Sequence, residues 1–128
     1  GDTLELTFSV RSSVGRDKEY LTAVLRSIAE RYGAVYFQKG DYPAWEYRKD
    51  SPLRELMVQV YEEQYGEKPQ VIAIHAGLEC GLLAGKLPGL DSVSFGPNLT
   101  EIHTTRESMS IASVARTWRY LLTVLERL

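Results

Sequence analysis

The first forty residues spell strand, helix, strand, and three such elements close a poor core on their own. In LELTFSV, Leu4, Leu6, Phe8 and Val10 share one face while Glu5, Thr7, Ser9 and then Arg11 share the other. That period of two is the pattern of a half-buried strand. Gly15 interrupts it, and Asp17 is placed to cap the helix that follows. In KEYLTAVLRSIAERY the apolar residues Leu21, Val24, Leu25, Ile28, Ala29 and Tyr32 recur at helical spacing. Gly33 stands where a left-handed residue favours the end of a helix, and AVYFQ is a second strand. In a split β-α-β arrangement another strand fits between these two, and no obvious candidate for it exists in the sequence. A lobe with two open strand edges and one helix points to part of something larger.

A polar, turn-prone stretch, KGDYPAWEYRKD, follows and marks the best boundary. Its aromatic residues Tyr42, Trp45 and Tyr47 suit packing of a linker around Pro43 better than a ligand cage. Ser51-Pro52 then opens a helix as N-cap and first-turn proline. Its buried face is Leu53, Leu56, Met57, Val60 and Tyr61, and Gly66 ends it. VIAI has no polar residue, as a strand covered on both faces requires. A short helix around residues 81–86 leads to SVSF, another strand, and then to a loop. Ser110 caps a last helix whose apolar stripe is Ile111, Val114, Ala115, Trp118, Leu121, Leu122 and Leu125. The second half is helix–strand–helix–strand–helix, so the fold class is α/β, an α+β half followed by an α/β segment.

Composition narrows the partners. Fifteen basic residues against 17 acidic ones give a net charge of −2, and no basic stripe carries interleaved aromatics, which argues against nucleic acid. No apolar run approaches the ~20 residues that span a bilayer, and no leader pattern opens the chain, so a cytoplasmic location is expected. One cysteine makes no internal disulfide, and two histidines with one cysteine do not close a four-ligand zinc site.

The residues with chemistry in them cluster in two places. IHAGLECG, residues 74–81, puts His75 at the end of a buried strand, where open α/β sheets bind ligands. His103 lies in NLTEIHTTRES, after the last strand, with Glu101, Thr104 and Glu107 near enough in sequence to orient it. From the residues alone each histidine is more readily a hydrogen-bonded loop residue. Cys80 at a strand-to-helix bend, with His103 as base, would suit a cysteine hydrolase. The adjacent Glu79 opposes a thiolate, and a packed structural cysteine is the alternative. Arg11 offers a planar fork suited to a carboxylate, or is a solvated edge residue.

From Asp41 onward the sequence resembles the C-terminal part of the aminoacyl-histidine dipeptidases. These belong to a zinc dipeptidase family that also includes carnosinase and related aminoacylases. The residues that carry the resemblance are DYPAWEY, AIHAGLECGLL, LDSVSFGPN, His103 and SIASVARTWRYLL, and SVRSSV at residues 9–14 resembles a strand of the family's lid. The resemblance implies a two-domain metallopeptidase, with residues 1–43 the second half of a lid or dimerisation domain. Residues 44–128 would be the last segment of the catalytic domain.

The same resemblance implies hydrolysis of Xaa-His dipeptides by water activated on two zinc ions, and a homodimer formed through the lid. It makes His103 a metal ligand, although Thr104-Thr105 stands where relatives have Ser-Pro, Ser108 replaces a usual arginine, and a nearby glycine is missing. Arg11, Gly77, Glu79 and His75 become substrate-binding residues. The remaining ligands and the general base would lie elsewhere, so this stretch alone is expected to be inactive and to bind zinc weakly or not at all. A carnosinase-like hydrolase, the cysteine hydrolase and a non-enzymatic assembly module are the rival readings.

Overall fold

The computed structural model describes residues 3–74 and 79–128. It is a mixed α/β chain whose described elements run α1 (Gly15–Arg31), α2 (Pro52–Tyr65), α3 (Glu79–Lys86), β1 (Leu99–Thr100), β2 (Ser108–Met109) and α4 (Ile111–Glu126). They fall into two compact units, Gly1–Tyr47 with Ile72–Leu90, and Arg48–Val71 with Asp91–Leu128. Among the described residues no helix is long and apolar enough to cross a membrane.

In the first unit α1 begins earlier than the sequence suggests. Val14 occupies the N-cap position and offers no side-chain bond, while Asp17 lies inside the first turn. Glu46 does the capping instead, its Oε1 accepting the Gly15 N–H at 2.9 Å. A carboxylate there satisfies an orphan donor and faces the positive end of the helix dipole. At the other end Gly33 has φ of 69°. Its N–H donates to Glu30 O, and the Ala34 N–H donates to Ala29 O, the paired bonds of a Schellman stop. Lys18 Nζ reaches Asp41 Oδ1 at 2.6 Å and also the Tyr42 carbonyl, tying segment 41–46 to the helix.

That segment also meets α3. A Cβ built on Gly81 would lie 3.0 Å from Pro43 O and 3.5 Å from Trp45 Cβ, so a larger residue would force segment 43–45 back by a few tenths of an ångström. Pro43 and Trp45 thus lie against α3.

The segments read from sequence as strands, 4–10, 34–38, 71–74 and 92–95, join no hydrogen-bonded ladder among the described residues. Leu4 and Phe8 are 83% and 63% exposed. Alternation fixes which face of a strand is apolar, but a ladder also needs a neighbour.

The second unit holds the buried core, built where α2 and α4 meet. Met57, Val60, Tyr120 and Val124 are buried, and Leu53, Leu56, Tyr61, Tyr65 and Val93 pack around them. Tyr120 donates its hydroxyl to Met57 O at 2.7 Å and stands edge-on to Tyr61 and Phe95, at 5.6 and 5.4 Å between centroids. Burial, then the neighbouring Tyr61 and Tyr65 hydroxyls, push its pKa up to about 12.

Helix α2 opens as the sequence predicts, with Ser51 Oγ accepting the Arg54 N–H at 3.1 Å and Gly66 ending it at φ of 73°. Asp91 adds a second cap, taking the Ser51 hydroxyl at 2.7 Å and the Leu53 N–H at 3.0 Å. Burial pushes the Asp91 carboxyl up. The two hydrogen bonds, with the Arg48 and Arg54 charges, outweigh burial and hold it below the usual aspartate value.

Helix α4 buries a different face from the one its pattern suggests. Ser110 does cap it, through the Ser113 N–H at 3.3 Å. The buried residues, however, are Ser113, Tyr120 and Val124, while Ile111 and Trp118 are 86% and 58% exposed. In this orientation Tyr120 and Val124 pack against Met57 and Val60, and the Tyr120 hydroxyl is satisfied on the α2 backbone.

Candidate functional site

His103 sits in the connection of a short hairpin. Strand β1 pairs antiparallel with β2 in the register Leu99↔Met109 and Thr100↔Ser108, and the facing Thr100 and Ser108 hydroxyls are 2.7 Å apart. The Ser110 N–H extends the ladder to Asn98 O at 3.0 Å. Ser113 Oγ latches the base to α4 by accepting the Asn98 N–H at 2.9 Å and donating to Ser110 O at 2.7 Å. The hairpin is thus fastened to the helix that follows it.

The connection, residues 101–107, contains two turns. The Thr104 N–H closes the first on Glu101 O at 3.1 Å, and the Glu107 N–H closes the second on Thr104 O at 3.2 Å. His103 is the third residue of the first turn with φ of 67°, and Glu101 before it has φ of 50°. Positive φ at the third position is what a type II turn demands, and glycine or asparagine is the usual occupant. A side chain there costs about 1–2 kcal/mol, so the surroundings must hold it. They do so with side-chain bonds. Glu107 Oε2 accepts the His103 N–H at 2.8 Å. Thr104 Oγ1 donates to Glu101 O at 2.7 Å and accepts the Arg106 N–H at 3.2 Å. Arg106 Nε pairs with Glu101 Oε2 at 2.8 Å.

His103 is exposed, on a turn held by its neighbours. The three candidate orienting groups are therefore engaged with the backbone or each other. Glu107 grips the backbone of His103, and Thr104 and Glu101 bond together. Among the described residues no three His, Cys, Asp or Glu side chains converge as a metal site. One exposed imidazole on a fixed turn suits a single contribution to a metal site and does not make a site alone.

Among the described residues, Arg11, Glu79 and Cys80 lie in the first unit. Arg11 is exposed, and Glu79 is the exposed first residue of α3. Cys80 follows in the same helical turn and is half-buried and free. His75 and Gly77 lie outside the described residues. Sequence reasoning missed two residues altogether in their actual roles. These are Asp91, the remote cap of α2, and Glu107 as the acceptor for the His103 N–H. The Glu107 signal was its four-residue spacing from a histidine, which suits a side-chain acceptor reaching back across a turn.

No family model matches the chain. The cytosol non-specific dipeptidase of Escherichia coli (strain K12) is 34% identical over 127 residues, which cover 99% of this chain and 26% of that protein. The crystal structure of aminoacylhistidine dipeptidase from Vibrio alginolyticus superposes with a TM-score of 0.78 at 36% identity. The chain resembles one quarter of a dipeptidase. The second match covers 91% of this chain and 24% of the other, so the chain spans about a quarter of the length of the dipeptidases it matches. The likeness read from HAGLECG and its companions holds in both sequence and fold.

Proposed function

We propose that these 128 residues work as part of a zinc-dependent dipeptidase that hydrolyses Xaa-His dipeptides. The observation that carries this reading is the end-to-end likeness to dipeptidases. It is joined by the superposition on an aminoacylhistidine dipeptidase, a protein whose name specifies such a substrate. Residues 1–43 act as half of a lid that pairs two copies of the protein. Residues 44–128 contribute the last segment of the catalytic domain. His103 supplies one ligand to a pair of zinc ions, and its exposed position on a fixed turn supports that role.

Arg11 receives the substrate carboxylate, while His75, Gly77 and Glu79 form one wall of the side-chain pocket. Zinc, held chiefly by residues outside this stretch, supplies an activated water and a polarised carbonyl. The stretch alone is inactive. A cytoplasmic location is supported by the name of the cytosol dipeptidase.

The test is hydrolysis by the whole protein of alanyl-histidine against alanyl-alanine, with and without a chelator. The expected result is chelator-sensitive cleavage, faster on the histidine dipeptide and lost with His103→Ala. Equal rates on both dipeptides would replace the specificity with that of a general dipeptidase. Chelator-resistant activity that disappears with Cys80→Ser would replace the metal reading with a cysteine hydrolase.

A further inference from the structure

We propose that Glu107 is the positioning residue for His103: by accepting the His103 N–H, its carboxylate holds the left-handed backbone that presents the imidazole. The consequence for catalysis rests on His103 being a metal ligand, as proposed above, whereas the restraint itself does not.

Two non-glycine residues in the left-handed region stand two apart in one turn, and each needs its own restraint. Glu101 has two, the Thr104 hydroxyl on its carbonyl and the Arg106 guanidinium on its carboxylate. For His103 the side-chain restraint among the described residues is Glu107, at 2.8 Å. Glu107 is in turn located from two directions. Its N–H closes the second turn on Thr104 O, and it immediately precedes Ser108, whose register with Thr100 the sheet fixes. Position is thereby handed from the ladder to Glu107 and from Glu107 to the backbone of His103. The imidazole nitrogens are left out of this bond, so the restraint does not compete with metal ligation. Outer-shell partners that orient a ligand typically carry about 10–100-fold in metal affinity, and a restraint on the ligand's backbone is expected to act in the same sense.

The experiment uses the whole protein and three variants, Glu107→Ala, Glu107→Gln and His103→Ala. Hydrogen–deuterium exchange is read on the peptide spanning residues 99–109, and zinc affinity by competition with a chromophoric chelator. Glu107→Ala should speed exchange in that peptide roughly tenfold and weaken zinc about 10–100-fold. Glu107→Gln keeps an acceptor oxygen, so it should stay within about threefold of wild type in both readouts. Exchange unchanged in Glu107→Ala overturns the proposal. So does a Gln variant as impaired as the Ala variant, because charge and not acceptance would then matter. His103→Ala keeps its N–H and should retain slow exchange while losing zinc. Unchanged zinc affinity in that variant removes the ligand reading and leaves the exchange result to decide the role of Glu107.

Discussion

Replacing Asp91 with alanine should destabilise the second unit by about 2–4 kcal/mol. Asp91 accepts the Ser51 hydroxyl at 2.7 Å and the Leu53 N–H at 3.0 Å. A hydrogen bond to a charged acceptor contributes about 1.5–3 kcal/mol net, and the carboxylate is partly solvated, which favours the lower end for each. Ser51 is only 2% exposed, so its freed hydroxyl cannot turn to water. It also accepts the Arg54 N–H at 3.1 Å, so removing Asp91 loosens the near cap as well. Ser51→Ala shares the Ser51–Asp91 bond, and the double variant should therefore cost about 1–2 kcal/mol less than the sum of the singles.

The pH dependence gives an independent check. The folded Asp91 carboxyl lies below its ordinary value of about 3.9. Its contribution is then fully present above that value and disappears as pH falls through the folded one. Urea unfolding followed by circular dichroism at pH 7 and pH 2 measures both effects. A loss under about 0.5 kcal/mol, or one equally large at both pH values, would refute the double-cap account.

Three further outcomes are expected. Gly85→Ala should raise stability by up to about 1 kcal/mol, because its Cβ makes only ordinary contacts with Pro43 Cβ at 3.8 Å and Cγ at 4.0 Å. Gly81→Ala should lower it, since the 3.0 Å approach to Pro43 O outweighs the same helix gain, and thermal melts of the pair test the ordering. Tyr120→Phe should cost about 1 kcal/mol through the lost bond to Met57 O. Burial holds the Tyr120 hydroxyl neutral to about 12, so its stabilisation is intact below pH ~10 and lost between there and the folded value. Phenolate absorbance should show one late-titrating tyrosine fewer in that variant. At position 103, glycine should be about 1 kcal/mol more stable than alanine in chemical unfolding, because φ of 67° penalises any Cβ.

What was legible in the sequence follows from how far each interaction reaches. Helix ends were readable because their partners are adjacent. Ser51 with Arg54, Ser110 with Ser113, and the left-handed Gly33 and Gly66 act within four residues. The α1 start was misread because its cap, Glu46, lies 31 residues away, and no local pattern announces it. The α4 stripe of Ile111, Val114, Trp118, Leu122 and Leu125 is genuine as a period, yet these residues are exposed. Periodicity reports which face is apolar and leaves open which face meets a given neighbour. The face buried here is the one that packs Tyr120 and Val124 against Met57 and Val60 and sets the Tyr120 hydroxyl on the Met57 carbonyl.

The His103 hairpin inverts that lesson. Its turns carry no Asn-Gly or similar signal, and the left-handed positions are filled by glutamate and histidine. Nothing in residue preference marks it, and the sequence shows only a polar loop. Yet every bond that shapes it lies between Asn98 and Ser113. Each such bond is weak at an exposed site, but they share donors and acceptors, so breaking one slackens the next. Among the candidate site residues, His103 has its conformation specified by a short self-contained stretch of chain. Arg11 is an exposed residue outside any element, and Glu79 is the exposed first residue of α3. Substitutions within the connection, residues 101–107, should therefore act chiefly on His103, through backbone geometry. That separation makes Glu107→Gln against Glu107→Ala a clean comparison, since both leave the α2–α4 core intact.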